Sequence, residues 1–162
     1  MLIVFDLDDT LYDSTGYGSK EESGVLDISL FDGASNLLED VRFEKILVTR
    51  GKPSLQNAKI DALNIRSYFK KIFIPPTDDE KEKYFSEIFS VHNPRSTIVI
   101  GNRIDCELRY GKIMGAKTVL FKHGKYKRLQ PKDSFEIPDH MIDSFSEFQK
   151  ILSKYADDKP KR

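Results

Sequence analysis

The chain has 162 residues, enough for one domain with a real core, and its 26 basic side chains balance 26 acidic ones. Balanced charge excludes a global pull toward nucleic acid or a membrane surface. One cysteine, Cys106, excludes an internal disulfide framework and fits a reducing, cytoplasmic setting. No apolar run approaches the roughly 18 residues of a membrane span. The first residues show neither a basic leader nor a cleavage site. His92, His123 and His140 are scattered, without metal-ligand spacing.

In chain order, residues 2–5 are an apolar run that reads as a buried strand. The run ends in Asp6-Leu7-Asp8-Asp9-Thr10. Carboxylates two residues apart at a strand end point in roughly the same direction. Crowded carboxylates raise one another's pKa unless a cation or a reaction needs them together. The start of the chain therefore predicts a magnesium-dependent site. A calcium loop is excluded, because Leu11 stands at its sixth position and Tyr17 at its twelfth.

Residues 12–29 are polar and lack periodicity, which predicts a flap or short hairpin beside the acidic loop. Further strands are predicted at 45–48, 71–74, 97–100 and 118–121. Helices are predicted at 34–41, 54–63, 79–91 and 105–114, each with apolar residues three and four apart. In the third of these, Tyr84, Phe85, Ile88 and Phe89 form a stripe suited to packing on a sheet. Pro53 and Gly115 are sensible start and stop signals. Residues 142–155 suggest a closing helix and 157–162 a disordered basic tail. The alternation predicts a Rossmann-like, three-layer α/β domain over residues 1–156, with a central, mostly parallel sheet of five strands. Right-handed crossovers would then gather the strand ends, and the acids, on one rim.

The sequence resembles the haloacid dehalogenase superfamily, in its phosphatase-like branch, over about residues 2–123. The first motif of that family, Asp-x-Asp-x-Thr after an apolar strand, matches Asp6-Leu7-Asp8-Asp9-Thr10 in full. The second, an apolar strand ending in Thr or Ser, matches Ile46-Leu47-Val48-Thr49. The fourth, Gly-Asp followed by another acid, is represented by Gly101-Asn102-Arg103-Ile104-Asp105-Cys106-Glu107. The resemblance implies that Asp6 attacks phosphorus to form an aspartyl-phosphate, and that Asp8 is the general acid and base. It implies a phosphoryl contact from Thr49, loop support from Thr10, and backbone donors at Leu7 and Arg50. It calls for a lysine near a helix start, with Lys81 preferred over Lys83. The implied cofactor is Mg2+, held by Asp6, the Asp8 carbonyl and Asn102, with Asp105 or Glu107 behind them. Asp105 is the choice as the fourth metal-site residue.

Asn102 departs from the family pattern, which places a charged aspartate there. Asparagine still offers a carbonyl oxygen but no charge, so magnesium affinity should fall. Two functions follow. One is a magnesium-dependent phosphatase acting on a phosphomonoester. The other is a weakened relative that binds a phosphate ligand or a partner. Residues 7–48 and 50–80 leave no room for a cap domain, so the site should be open or covered by the flap or a second subunit. The expected substrate is a phosphorylated small molecule or a phosphoprotein, with nucleic acid and membrane disfavoured as partners.

Overall fold

Isolated apolar runs separated by amphipathic segments bury their surface most completely by forming a sheet covered on both faces, and this chain does so. A computed structural model describes residues 1–17 and 26–157. Six strands, β1 (Leu2–Phe5), β2 (Glu44–Val48), β3 (Lys71–Phe73), β4 (Thr97–Gly101), β5 (Lys117–Phe121) and β6 (His140–Ile142), form one sheet in the order β3-β2-β1-β4-β5-β6. Every neighbouring pair is parallel. β1 lies between β2 and β4, with Phe5 level with Leu47 on one side and Ile100 on the other. All four of its residues are buried, as expected of a strand covered on both faces.

The period of two divides the strand residues between two cores. Ile3, Phe5, Leu47, Ile98, Ile100, Val119 and Phe121 face one layer, with Leu37 of α2 (Ala34–Glu39), Ile60 of α3 (Pro53–Ala62) and Phe148 of α6 (Phe145–Asp157). Leu2, Val4, Ile46, Val48, Val99 and Leu120 face the other, with Phe85, Ile88 and Phe89 of α4 (Asp78–Val91) and Leu108 of α5 (Glu107–Ile113). From β1 the chain winds outward through β2 and β3, then returns to β4 on the far side of β1 and winds the other way. The carboxyl end of β1 is thus the switch point where doubly wound sheets bind ligands.

The expected α/β architecture is present, and the sheet is larger than expected. β6 adds a sixth strand at the edge beside β5. It takes Ile142 from the expected closing helix, which begins instead at Phe145 and extends through Asp157, the first residue of the expected tail. The rest of that tail, 158–162, lies outside the described residues. The helix predicted at 105–114 starts two residues later, at Glu107. The helix predicted at 34–41 stops at Glu39, leaving Val41 exposed. At the expected flap, Tyr12 and Leu30 pair antiparallel at its base and α1 (Ser14–Tyr17) follows the acidic loop. The middle of that segment, residues 18–25, lies outside the described residues. Among the described residues no helix is long and apolar enough to cross a membrane.

Candidate active site

At the end of β1 the Asp6 amide continues the ladder by donating to the Ile100 carbonyl at 3.0 Å. The chain then turns: Thr10 and Leu11 donate to the Leu7 carbonyl, and Asp9 takes a positive φ of 55°. Leu7 sends its side chain into the core, and Asp6, fixed by the strand, is only 7% exposed. The first turn of α4, capped by Thr77 through the Glu80 amide, aims Lys81 at this point. Its ammonium group donates to Asp6 Oδ1 at 2.8 Å and to Glu107 Oε2 at 3.1 Å. Lys83, the other candidate, is exposed. Burial pushes the Asp6 carboxyl up to about 7; the neighbouring Glu107 and Asp8 charges add to the rise and Lys81 opposes it. Burial works against charge on Lys81, but Asp6 and Glu107 outweigh it and hold its pKa above the usual range.

Glu107 reaches this floor because Gly101 has no side chain. A Cβ at Gly101 would overlap the Glu107 carboxylate. Glu107 Oε1 accepts the Arg103 amide at 2.8 Å, and the residue is 1% exposed. Asp105 is not brought to the cluster. It pairs with the Arg103 guanidinium at 3.0 Å, while Glu107 lines the pocket. Of the two acids expected behind the metal position, Glu107 therefore occupies that place and Asp105 does not.

Asp8 is gripped by groups that local sequence patterns do not reveal. Oδ1 accepts from Tyr12 Oη at 2.7 Å and Lys59 Nζ at 2.9 Å, and Oδ2 accepts from Gln56 Nε2 at 2.8 Å. Burial alone would raise the pKa of Asp8; the Lys59 charge and these three bonds outweigh it and hold the carboxyl below the usual range. Gln56 Nε2 also donates to Thr49 Oγ1 at 2.6 Å; the Arg50 carbonyl lies 3.2 Å away, a third acceptor for two hydrogens. Asp8 and the Arg50 carbonyl can only accept, so the orientation of the amide is fixed. Thr49 Oγ1 accepts from Gln56 and keeps its own hydrogen to donate. Gln56 and Lys59 lie three apart on one face of α3, which is the faint sequence signal for the pair. Gln56→Glu is expected to lower kcat/KM about 100-fold, because a carboxylate would repel Asp8 and draw the Thr49 hydrogen toward itself. Wild-type kinetics in that variant would remove Gln56 from the site.

These groups line one cavity of about 490 Å³ at the carboxyl edge of the sheet. Its walls hold Asp6, Asp8, Asp9, Thr15, Asn102 and Glu107, with Lys59 and Lys81; Thr10 lies behind them, its hydroxyl 3.5 Å from Asp6 Oδ2. Arg50 stands at the mouth, paired with Asp78 at 3.3 Å. The donor set suits a hard divalent cation. Four acids face two lysines, and the buried Asn102 amide forms no hydrogen bond among the described residues, so its carbonyl oxygen is free to bind a ligand. A second group of possible ligands, Asp9, Asp13 and His123, lies alongside. Its members are engaged within the protein: Asp9 accepts from Thr15, and Asp13 pairs with His123 at 2.8 Å.

Comparison with known proteins adds relatives to this geometry. The family model described as mitochondrial PGP phosphatase matches residues 51–126, just under half of the chain. That stretch carries Lys81, Asn102 and Glu107 but not Asp6. The glyceraldehyde 3-phosphate phosphatase of Pyrococcus furiosus is 28% identical over 113 residues, covering 67% of this chain and 47% of that protein. The protein of the same name from Methanopyrus kandleri is 26% identical over 126 residues, covering 75% and 54%. The chain spans about half the length of these relatives. Among solved structures, YfnB of Bacillus subtilis, described as a HAD-hydrolase bound to magnesium, aligns with a TM-score of 0.70 at 16% identity, over 93% of this chain and 97% of that one. A predicted phosphoglycolate phosphatase from Haemophilus somnus aligns with a TM-score of 0.71 at 16% identity, over the same shares. At such identities the structures speak for the fold.

Proposed function

We propose that this chain belongs to the haloacid dehalogenase superfamily, which its motifs resemble, and that it hydrolyses phosphomonoesters of small molecules through a phospho-aspartate on Asp6. The observation that carries this reading is the buried Asp6–Lys81–Glu107 cluster at the sheet's switch point. Burial and like charge oppose ionisation of Asp6, an arrangement that natural sequences retain where chemistry requires it.

Asp6 attacks phosphorus as the bond to the leaving oxygen breaks. Lys81 and the Thr49 hydroxyl take up charge on the phosphoryl oxygens, Lys81 while still paired with the nucleophile. In the second step water attacks phosphorus, Asp8 takes its proton, and the Asp6 carboxylate is restored. Asp8, held ionised by Lys59, Tyr12 and Gln56, is well prepared for that basic role. As an acid in the first step it must first gain a proton, which favours substrates whose leaving group needs little protonation. Mg2+, bound by Asp6, the Asp8 carbonyl and Asn102 with Glu107 behind them, would offset the repulsion between the acids and the incoming phosphate.

A magnesium titration of phosphatase activity tests the reading. Wild type is expected to turn over p-nitrophenyl phosphate with a high magnesium requirement. Asn102→Asp is expected to lower the half-saturating concentration about tenfold by adding an anionic ligand. No turnover in either protein at any magnesium concentration would overturn the hydrolytic reading. Turnover confined to Asn102→Asp would favour the second reading, a module that binds phosphate ligands with a metal site weakened at Asn102.

A further inference from the structure

The charges of the cavity are segregated by depth. The floor holds a surplus of acid, and the mouth a surplus of base. Arg50, Lys52, Arg103 and Lys125 line the mouth, where Asp78 is the one acid. Arg103 is committed to Asp78 at 3.1 Å and to Asp105 at 3.0 Å, and Arg50 shares Asp78. Lys52 and Lys125 are exposed, and neither has an acidic partner among the described residues. Both are held in place by the fold. Lys52 is the residue before α3, next to Gly51, whose amide donates to the Pro75 carbonyl at 3.0 Å. It lies at the positive end of a ten-residue helix.

The loop carrying Lys125 is anchored twice. His123 pairs with Asp13, and Gly124, with a φ of 72°, packs where a Cβ would overlap the Asp9 carboxylate. Tyr126 lies on the same wall, its ring 4.6 Å from the Arg103 guanidinium carbon and 5.0 Å from the Lys125 ammonium. The phosphoryl group is provided for on the floor by Lys81 and Thr49, so the free cations at the mouth answer to a different group.

We propose that Lys52 and Lys125, beside Tyr126, form a subsite for a second anionic group, a carboxylate or a phosphate, on the leaving group of the substrate. This rests on the hydrolytic reading above and narrows it to phosphomonoesters with an anionic leaving group. Two ions at a solvent-exposed mouth yield a modest preference, about tenfold in kcat/KM, that weakens as salt is added.

The test compares substrates sharing a phosphoryl environment: 3-phosphoglycerate with glycerol 3-phosphate, and fructose 1,6-bisphosphate with fructose 1-phosphate. The anionic member of at least one pair is expected to win, and which pair shows it separates carboxylate from phosphate. In Lys52→Gln/Lys125→Gln the ratio of kcat/KM values is expected to fall toward one. Equal rates within both pairs would overturn the subsite, as would a preference that survives the double substitution. If no substrate, p-nitrophenyl phosphate included, is turned over, the hydrolytic reading fails separately. The same pairs then serve as ligands in thermal melts of the wild-type protein. A larger shift for an anionic member, lost in the double variant, supports the subsite; equal shifts refute it.

Discussion

Asp6→Asn is expected to abolish turnover and, in metal-free buffer, to raise the melting temperature. Loss of turnover follows from the nucleophile: an amide cannot form the phospho-aspartate, so the rate should fall at least 10⁴-fold. The gain in stability follows from burial. The Asp6 carboxyl has its pKa raised to about 7 from an ordinary 3.8 because it is buried beside Glu107 and Asp8, and Lys81 offsets only part of the cost. A carboxyl with a raised folded pKa binds its proton more tightly in the native state. Ionising it costs no stability below about 3.8, an increasing amount between 3.8 and 7, and a constant amount above. Asparagine removes that cost while keeping the shape. The melting temperature should therefore rise by about 2–8 °C at pH 8, and by much less at pH 4–5. Magnesium should narrow the gap by favouring the ionised wild-type carboxylate. An Asp6→Asn variant less stable than wild type at pH 8 would mean that Asp6 supports the fold rather than being buried at a cost.

How much of this was legible in the sequence varies with the range of the interaction. β1 and its acids are local: four apolar residues and the three acids after them fix both the strand and the place of Asp6 and Asp8. Lys81 could be preferred because its distance to Asn102 is closer to the spacing usual in the family the sequence resembles. Asp105 stands closer to the strand end in sequence than Glu107, yet it is Glu107 that lines the cavity. A helix starting at residue 105 would keep Asp105 near the strand end. The chain instead makes another turn, Cys106 becomes the residue before α5, and Glu107 folds back into the space left by Gly101. The clamp on Asp8 was out of reach for a different reason. Gln56 and Lys59 meet Asp8 across 48 and 51 residues of sequence, through parallel pairing of β1 and β2 and the packing of α3. β6 is three residues long and has one exposed methionine, Met141, so its pattern is too brief to read; pairing with β5 makes it a strand.

These long-range contacts divide the labour at the site. α4 supplies Lys81 to Asp6, and α3 supplies Gln56 and Lys59 to Asp8. Each helix starts near the carboxyl edge of the sheet, so its side chains in the first two turns reach the switch point. The opposite shifts of Asp6 and Asp8 follow from this division. Asp6 shares one lysine with Glu107, whereas Asp8 accepts from Lys59 and from two neutral donors, Tyr12 and Gln56. Environments that push two nearby carboxyls apart commonly mark groups with different chemical roles.

Lys81→Met tests whether the floor is held by charge, and the expected effect on stability is the largest of any substitution at the site. Methionine keeps most of the stem volume, so packing against the site is largely retained. The charge is lost, which leaves Asp6 and Glu107 buried without their cation. Removing one partner from a buried ion pair costs about 3–5 kcal/mol, or roughly 6–20 °C in melting temperature for a chain of this size. The sign with pH is fixed. With the lysine gone, Asp6 favours its protonated form more strongly, so the penalty should be full at pH 8 and shrink as pH falls toward 5. Glu107→Gln placed on top of Lys81→Met should restore part of the loss, because one of the two orphaned charges disappears. A deficit equal at both pH values, or untouched by the second substitution, would show that Lys81 acts through its stem. A floor held together by the Lys81 charge, and the nucleophile it is proposed to prepare, would then have to be abandoned.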